Sequence, residues 1–227
     1  MTRRHFATAF GKQGFRDMDW DFEQTSAALR YKLLVGLVVP RPIALITSIS
    51  ESGVVNAAPF SFFNVLGDDP PILIVSVEDR DSGGPKDTTR NIVRTGEFVV
   101  NLVDEAIVSQ MHGCSEDYPP EVSEVDMVGF TTAPSRAVAP PRIAQAPVAL
   151  ECKLHTKLDM PGRHLFIGQV AWLHAREGIV DPQTQRVRFD NYQPVGRMFA
   201  NRYVRTGDQF EVDSNSYNER RKALGKI

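Results

Sequence analysis

The chain has 227 residues, of which 42% are hydrophobic and 24% are charged, so it has enough apolar side chains for one large domain or two small ones. The net charge is −2 and no long basic block is present, which argues against non-specific nucleic-acid binding. No apolar run reaches the ~18 residues that a transmembrane helix requires.

The chain ends and the cysteines indicate where the protein resides. The first fifteen residues, MTRRHFATAFGKQGF, lack the apolar region of a signal peptide. Only Cys114 and Cys152 are present, far apart and without neighbours at metal-ligand spacing, so they form neither a disulfide framework nor a zinc motif. These features predict a cytoplasmic protein that associates with neither membrane nor nucleic acid.

The first half of the chain mixes helical and strand patterns. Short β-branched runs bounded by glycine and proline predict buried strands over residues 43–49, 72–77 and 97–103. Helical spacing predicts helices over 25–34, 88–95 and 104–113, the last with Asp104 as its N-cap.

The second half is predicted to consist mainly of strands. Residues 118–147 form a long excursion with one short helix near 122–127. Residues 149–157 alternate, with Cys152 on one face and Glu151 on the other, which predicts a half-buried strand. Residues 164–174 are apolar on both faces and predict a more central strand, and 186–189 and 193–203 complete the barrel or cover its mouth.

Many short strands, few helices and no β-α-β alternation predict a mainly β barrel with a few decorating helices. No internal repeat and no glycine- or serine-rich linker divides the chain. We expect one barrel domain over residues 25–205, preceded by an N-terminal arm (1–24) and followed by a polar C-terminal tail (206–227).

One segment, residues 40–64, suits a flat ligand. The predicted strand 43–49 ends in the hydroxyls of Thr47 and Ser48, and a turn and a second strand follow. Small residues, hydroxyls and aromatic rings then alternate over 58–64 with little charge, which is typical of a site for a planar, hydrogen-bonding molecule. The alternative is that the phenylalanines simply belong to the core.

A second segment, residues 83–89 (GGPKDTT), offers a phosphate site. Glycines let the backbone approach a ligand closely, Lys86 adds a positive charge, and the amides at the start of the following helix favour an anion. The segment is neither a Walker loop nor a dinucleotide-binding turn. The alternative is an ordinary capped helix with an exposed lysine.

The five histidines do not occur at metal-ligand spacing, so no metal site is predicted. No nucleophile motif and no acid–base set can be identified from spacing. His164 follows a glycine turn at the start of the central strand, where its ring could point into the mouth of a pocket. A structural or solvent-exposed role is the alternative for His164.

Over about residues 25–205 the chain resembles the flavin reductase-like proteins, which have the FMN-binding split-barrel fold. The matching segments are 40–44 (PRPIA), the strand end at Thr47 and Ser48, 56–64 (NAAPFSFFN), 69–71 (DPP), 86–88 (KDT), 91–92 (NI), 97–101 (EFVVN) and 164–170 (HLFIGQV).

The resemblance implies a homodimer with FMN near the subunit interface and NAD(P)H as cosubstrate. It implies that the flavin ring and ribityl chain are surrounded by Thr47, Ser48, Ile49, Ala58, Pro59, Phe60, Ser61, Phe62 and Asn64. Lys86, Asp87 and Thr88 are expected near the phosphate, Arg41 is a further cofactor-binding residue, and His164 is expected beside the nicotinamide and flavin as the catalytic residue.

The resulting hypothesis is an oxidoreductase that takes hydride from NAD(P)H onto FMN and passes it to free flavin, a partner monooxygenase component or a small acceptor. The alternatives are an electron-carrier flavoprotein and a non-catalytic flavin-binding protein. The N-terminal arm, the excursion over 118–147 and the segment 197–203 depart from the leaner reductases of this kind.

Overall fold

The computed structural model describes residues 18–212. Residues 1–17 of the predicted arm and 213–227 of the predicted tail lie outside the described residues. Between them, the chain has four helices: α1 (Ala27–Leu37), α2 (Asp87–Thr95), α3 (Val108–Gly113) and α4 (Glu124–Met127). None of the helices within 18–212 is both long and apolar enough to cross a bilayer.

Eleven strands lie in the same range. They are β1 (Ala44–Ile49), β2 (Val55–Phe60), β3 (Phe63–Asp68), β4 (Pro71–Glu78), β5 (Glu97–Leu102), β6 (Thr132–Ala133), β7 (Arg142–Ile143), β8 (Val148–Met160), β9 (Arg163–Ala175), β10 (Val195–Arg197) and β11 (Tyr203–Arg205).

Seven of these strands form one antiparallel sheet in the order β2-β1-β5-β8-β9-β4-β3. Only Ser61 and Phe62 separate the two edge strands, because β2 ends at Phe60 and β3 begins at Phe63. That link spans at most about 11 Å, whereas a flat sheet with this many strands would be roughly 29 Å wide. The sheet must therefore curl until its edges meet, which confirms the predicted mainly β barrel with few helices. The β2–β3 link lies at the split between the edges.

The barrel interior is a hydrophobic core. Alternate residues of the strands point inward, and the fully buried side chains include Leu73, Val75, Phe98 and Phe166. Gly168 on β9 is required there, because a Cβ atom at this position would lie 2.5 Å from the ring of Phe98. Phe60 and Phe63 bury their rings in the same core on either side of the split.

A second core lies outside the barrel, where the segment between β5 and β8 packs over β1 and β2. It joins Leu45 and Ala57 of the sheet to Met111 of α3, Val125 of α4 and Ile143 of β7. The excursion predicted over 118–147 is therefore a covering layer, and α4 lies within the range predicted for its helix.

The covering layer also protects the edge strand β2. Ser123 donates its hydroxyl proton to the carbonyl of Val55 at 2.6 Å, and the Glu124 carboxylate accepts the N–H of Ala57 at 2.9 Å. Pro59 is the next residue whose backbone faces away from β1, and as a proline it has no N–H that could pair with another strand. Exposed edge strands can pair with other chains, and these contacts leave β2 little backbone with which to do so.

Three sequence-based predictions are corrected. α3 begins only at Val108, because Asp104 uses its carboxylate to accept the N–H of Ala106 in a preceding turn. Residues 186–189 form no strand and contribute only a single bridge, Val180–Val187. Glu151 was predicted on a solvated face but is fully buried, because a bulge follows it in β8 and the N–H groups of Arg136 and Ala137 bond its carboxylate.

Candidate functional site

A cavity of about 450 Å³ opens beside the β2–β3 link, at the split of the barrel. This volume lies within the range of roughly 300–1,000 Å³ that is typical of small-molecule sites. The parts of the chain that contribute to the lining include α1, the β2–β3 link, β4, Lys86 before α2, α3, the start of β9 and the hairpin formed by β10 and β11. The lining side chains include Tyr31, Ser61, Phe62, Lys86, Met111, His112, Arg163, Arg197, Phe199 and Tyr203.

The β2–β3 link supplies one of the aromatic rings of the lining, that of Phe62. Because Phe60 and Phe63 are held in the barrel core, the two residues between them face outward. The ring of Phe62 is 36% exposed and has the guanidinium carbon of Arg163 5.0 Å from its centroid. Arg163 in turn donates to Ser76 at 3.0 Å and to Glu78 at 2.8 Å. Phe62 therefore presents a fixed ring to the cavity.

Arg41 holds three parts of the wall together. Its buried guanidinium donates to the carbonyls of Val35 at 2.5 Å and Met198 at 3.1 Å and to the Ser61 hydroxyl at 3.2 Å. Burial, together with the nearby charge of Arg197, lowers the pKa of Arg41 from its ordinary value. Arg41 thus joins the end of α1, the β2–β3 link and the β10–β11 hairpin, and most of its donors are used by the protein.

A smaller cavity of about 90 Å³ adjoins the first one. Pro59, Phe60, Lys86 and Ser115 line both cavities, so the two volumes meet at Lys86. Within residues 18–212, the Lys86 ammonium group has no hydrogen-bond or ion-pair partner. The neighbouring Asp87 differs, because both Arg80 and Arg90 bond its carboxylate. Lys86 is therefore a cation available to a ligand at the junction.

The backbone before Lys86 is shaped by two glycines. Gly83 and Gly84 have φ angles of 91° and 80°, which side chains disfavour, and Arg80 donates its N–H to the carbonyl of Gly84. This turn places Lys86 directly before α2. Thr88, in the first turn of α2, is buried and accepts a hydrogen bond from the Asn56 amide at 3.1 Å.

The structure brings together nine of the predicted cofactor-binding residues. Those lining one or both cavities are Arg41, Ala58, Pro59, Phe60, Ser61, Phe62, Lys86, Asp87 and Thr88. Four others, Thr47, Ser48, Ile49 and Asn64, line neither cavity. Thr47 and Ser48 are fully buried; Thr47 donates to the carbonyl of Pro141 at 2.6 Å and Ser48 accepts from the Asn91 amide at 3.1 Å. Asn64 is exposed and bonds the N–H of Val65.

His164 does not line the cavity either. It pairs with core-facing Val77, so its side chain lies on the opposite face of β9 from that of Arg163. Its Nδ1 lies 2.6 Å from an Oδ atom of Asp159, and its Nε2 lies 3.1 Å from one of Asp79. The catalytic role of His164 stays a prediction, and this geometry supplies its structural alternative, a clamp between the ends of β4 and β8.

The lining residues that were not predicted as site residues include His112, Arg163, Arg197 and Tyr203. Neighbouring residues of a strand face opposite sides, so sequence alone could not decide between Arg163 and His164. Arg197 and Tyr203 belong to a segment that sequence analysis described only as finishing or covering the barrel. Its mixture of arginine and aromatic residues was the available signal.

A partly buried carboxylate, Glu124, and a buried thiol, Cys114, lie beside the smaller cavity. Burial is the largest influence on Glu124 and raises its pKa above the usual value. Burial and the nearby Glu124 raise the pKa of Cys114 to about 12, which keeps its thiol protonated and unreactive at neutral pH. Covalent chemistry at Cys114 is therefore disfavoured.

Comparison with known proteins identifies the architecture. Residues 36–196 match the flavin reductase-like domain. The chain belongs to the flavin reductase-like family. It is similar to a putative flavin reductase with a split-barrel domain from Shewanella frigidimarina, with a TM-score of 0.75, 19% identity and coverage of 87% of this chain and 99% of that one. The split-barrel fold expected from the sequence is thereby confirmed.

Other known proteins are more similar to this chain in sequence. A 2-nitrobenzoate 2-nitroreductase from Pseudomonas fluorescens is 38% identical, covering 86% of this chain and 95% of that chain with a TM-score of 0.80. Component B of a nitrilotriacetate monooxygenase from Bacillus cereus is 32% identical, covering 87% and 100% with a TM-score of 0.83. A protein of Aquifex aeolicus is 40% identical over 83% of this chain and 95% of its own.

Proposed function

We propose that this protein is an FMN-dependent oxidoreductase that takes hydride from NAD(P)H and passes electrons to a second acceptor. The observation that carries the proposal is the ammonium group of Lys86, which has no partner within residues 18–212 and lies at the junction of an aromatic-lined cavity and a smaller polar one. A cofactor with a flat ring at one end and a phosphate at the other requires this combination. Membership of the flavin reductase-like family supports flavin as that cofactor.

The residues present fit FMN. Phe62 and the neighbouring Pro59 offer apolar surface for a ring, while Lys86 and the N-terminal amides of α2 offer charge and donors for a phosphate. When bound, FMN would supply the hydride chemistry, from NAD(P)H to flavin to acceptor. The part of the protein is to hold the ring against Phe62, fix the phosphate at Lys86 and leave room for the second substrate. No general base is needed for that part.

Two relatives support an acceptor beyond the flavin. One of them is a 2-nitrobenzoate 2-nitroreductase, and the other is component B of a nitrilotriacetate monooxygenase. By analogy, this chain would reduce a small acceptor directly or supply reduced flavin to a partner monooxygenase component.

We further propose that the protein is a homodimer with its site at the subunit interface. Ile74 and Ile167 lie opposite each other in the β4–β9 pair, on the face of the sheet away from the barrel core. Leu158 and Leu165 extend this partly exposed apolar surface along β8 and β9. The same face continues to Ser76 and Arg163, which line the cavity. A second chain covering this surface would therefore reach the cavity mouth.

Rapid mixing of the purified, FMN-loaded protein with NADH and with NADPH tests the activity. We expect flavin absorbance near 450 nm to bleach on the order of 10 s⁻¹, the median for enzymes. Protein that binds flavin but is not bleached would be an electron carrier or a binding protein instead. Protein that binds no flavin would refute the proposal.

The assembly is tested by light scattering at micromolar concentration. Ile167→Glu should dissociate the dimer and release flavin, because the substitution places a charge in the apolar surface. Gln183→Glu, which adds the same charge in an exposed turn, is the matched control. A wild-type monomer that retains FMN would contradict the proposed assembly.

A further inference from the structure

The β10–β11 hairpin supplies two polar side chains, Arg197 and Tyr203, to the cavity at the barrel split. Arg197 donates a hydrogen bond to the Tyr203 hydroxyl and lies over its ring, 4.9 Å from the centroid. The same hydroxyl lies 3.0 Å from Nδ1 of His112 in α3. All three side chains line the cavity. The hairpin is almost entirely outside the part of the chain that matches the family domain, which ends at residue 196.

The hairpin is firmly docked, so these side chains are held in place. Arg41 and Arg197 exchange backbone hydrogen bonds of 3.0 and 2.8 Å. Gly196 packs against Pro40 so closely that a Cβ atom would lie 2.6 Å from the proline ring. On the outer strand, Arg205 pairs with Glu105. A site built on a rigid element can recognise a ligand by geometry, which a mobile loop does poorly.

The hydrogen bonds among the three residues leave donors for a ligand. Arg197 can only donate, so the Tyr203 oxygen accepts from it. Either Tyr203 then donates to Nδ1 of His112, which leaves the Nε2–H of His112, or His112 donates to Tyr203, which leaves the Tyr203 proton. Within residues 18–212, only one of the three guanidinium nitrogens of Arg197 has a partner. Every arrangement therefore directs unused donors and a positive charge at the cavity.

Other cations at the cavity are less available. The Arg41 guanidinium is committed to carbonyl groups and Ser61, and Arg163 is paired with Glu78. Lys86 lies where the two cavities meet and is assigned above to the flavin phosphate. Arg197 is thus the cation left for a second ligand in the aromatic-lined cavity. Two aromatic residues, Tyr31 and Phe199, line the same cavity as Arg197.

We propose that Arg197, Tyr203 and His112 form the binding site for an oxyanion on the electron acceptor, and that the preferred acceptors are small aromatic molecules bearing a carboxylate. The inference rests on the proposed function, because it names the acceptor used at the same site. Arginine binds carboxylates through paired, charge-assisted hydrogen bonds, and an aromatic acceptor would pack among the aromatic side chains. A neutral acceptor of the same shape would leave the Arg197 charge without a partner.

The test compares 4-nitrobenzoate with 4-nitrobenzamide, which has a similar shape but no charge. Equilibrium binding to the FMN-loaded protein is followed by the change in flavin absorbance, and KM and kcat are measured separately. The wild type should bind the carboxylate at least about 10-fold more tightly. Arg197→Gln should weaken 4-nitrobenzoate binding about 10- to 100-fold and change 4-nitrobenzamide binding little, since a charge-assisted bond is lost. Tyr203→Phe should show the same pattern with a smaller change.

Arg202→Gln is the matched control, because it removes the same group from the turn of the same hairpin at an exposed position outside the cavity. It should leave both affinities unchanged. Equal binding of the two probes by the wild type would overturn the proposal. If Arg197→Gln loses FMN affinity but keeps riboflavin affinity, Arg197 binds the flavin phosphate instead. If only the KM for NAD(P)H rises, Arg197 binds the nicotinamide nucleotide. Either result also overturns the proposal.

Calorimetry of the flavin-free protein with the same two probes separates this inference from the proposed function. A preference for the carboxylate that Arg197→Gln abolishes supports the oxyanion site even if no flavin is bound. If the protein binds and reduces flavin normally but shows no such preference, the proposed function stands and the acceptor assignment fails.

Discussion

The cavity at the barrel split and the cluster around His164 both contain charged side chains, but they use them differently. Around His164, both ring nitrogens face carboxylates and Lys157 pairs with Asp159 at 2.9 Å. In the cavity, Lys86 has no partner within residues 18–212 and Arg197 has one. A side chain whose hydrogen bonds are satisfied by the protein stabilises the fold, whereas one that faces a cavity with unused donors is available to a ligand.

Replacing Lys86 gives the sharpest test of this difference. Lys86→Ala should weaken FMN binding about 10- to 150-fold, because the lost charge-assisted contact to phosphate contributes about 1.5–3 kcal/mol. Riboflavin, which lacks the phosphate, should bind almost as before in a fluorescence titration.

Lys153→Ala, on an exposed position of β8, provides the control for loss of a lysine. If Lys86→Ala weakens the binding of FMN and of riboflavin equally, Lys86 acts through folding. The residue that most clearly distinguishes the cavity from the cluster around His164 would then no longer do so.

The fold could be predicted largely from the sequence because its signals are local. The β-branched runs and the glycine turns between them indicated the main strands, and the segment 56–64 indicated the position of the site. The buried position of Glu151 could not be predicted, since its partners Arg136 and Ala137 lie in the excursion and reach it only through tertiary packing. An alternating sequence pattern also does not reveal where a bulge lies, and two bulges interrupt β8.

The candidate site was predicted in part. Residues on the β2–β3 link and before α2 were identified because their glycine, proline and aromatic composition is unusual. Arg197, Tyr203 and His112 were not, since α3 and the hairpin are distant in sequence and meet only in the folded barrel. His164 was selected for its position after a glycine turn and for the family resemblance, and neither carries information about the two carboxylates beside it.

Replacing His164 tests the other region. His164→Ala should lower the melting temperature by about 2–8 °C, because the loss of partly exposed bonds to Asp79 and Asp159 removes about 1–2 kcal/mol of the free energy of unfolding. We expect the rate of flavin reduction by NAD(P)H to stay within about 2-fold. His155→Ala, at an exposed position on the neighbouring strand, should change neither quantity.

A different result for His164 would be informative. If flavin reduction slows about 10- to 100-fold while the melting temperature is preserved, His164 acts in the reaction, as the family resemblance implies. The clamp described above would then be secondary, and the contrast between the two regions would no longer separate structural from functional charges.

The smallest expected effect compares the partly buried carboxylate of Glu124 with the fully buried carboxylate of Glu151. Burial alone would raise the pKa of Glu151, but hydrogen bonds from Ala137, Arg136 and His174 outweigh it and the pKa is lowered. At Glu124, which accepts the N–H of Ala57, burial outweighs the backbone hydrogen bonds and raises the pKa. The two groups should therefore contribute to stability with opposite dependence on pH.

For Glu151 the folded pKa is below the unfolded one, so its contribution is present above the unfolded value of 4.5 and is lost as pH falls through the folded pKa. For Glu124 the folded state binds its proton more tightly than the unfolded state, so stability decreases as pH rises from 4.5 through the folded pKa. Glu124→Gln keeps an oxygen for the N–H of Ala57 and cannot titrate. Measured by urea unfolding, the variant should gain stability relative to the wild type as pH rises through that window, while parallel profiles would show that Glu124 carries no desolvation cost beside the cavity.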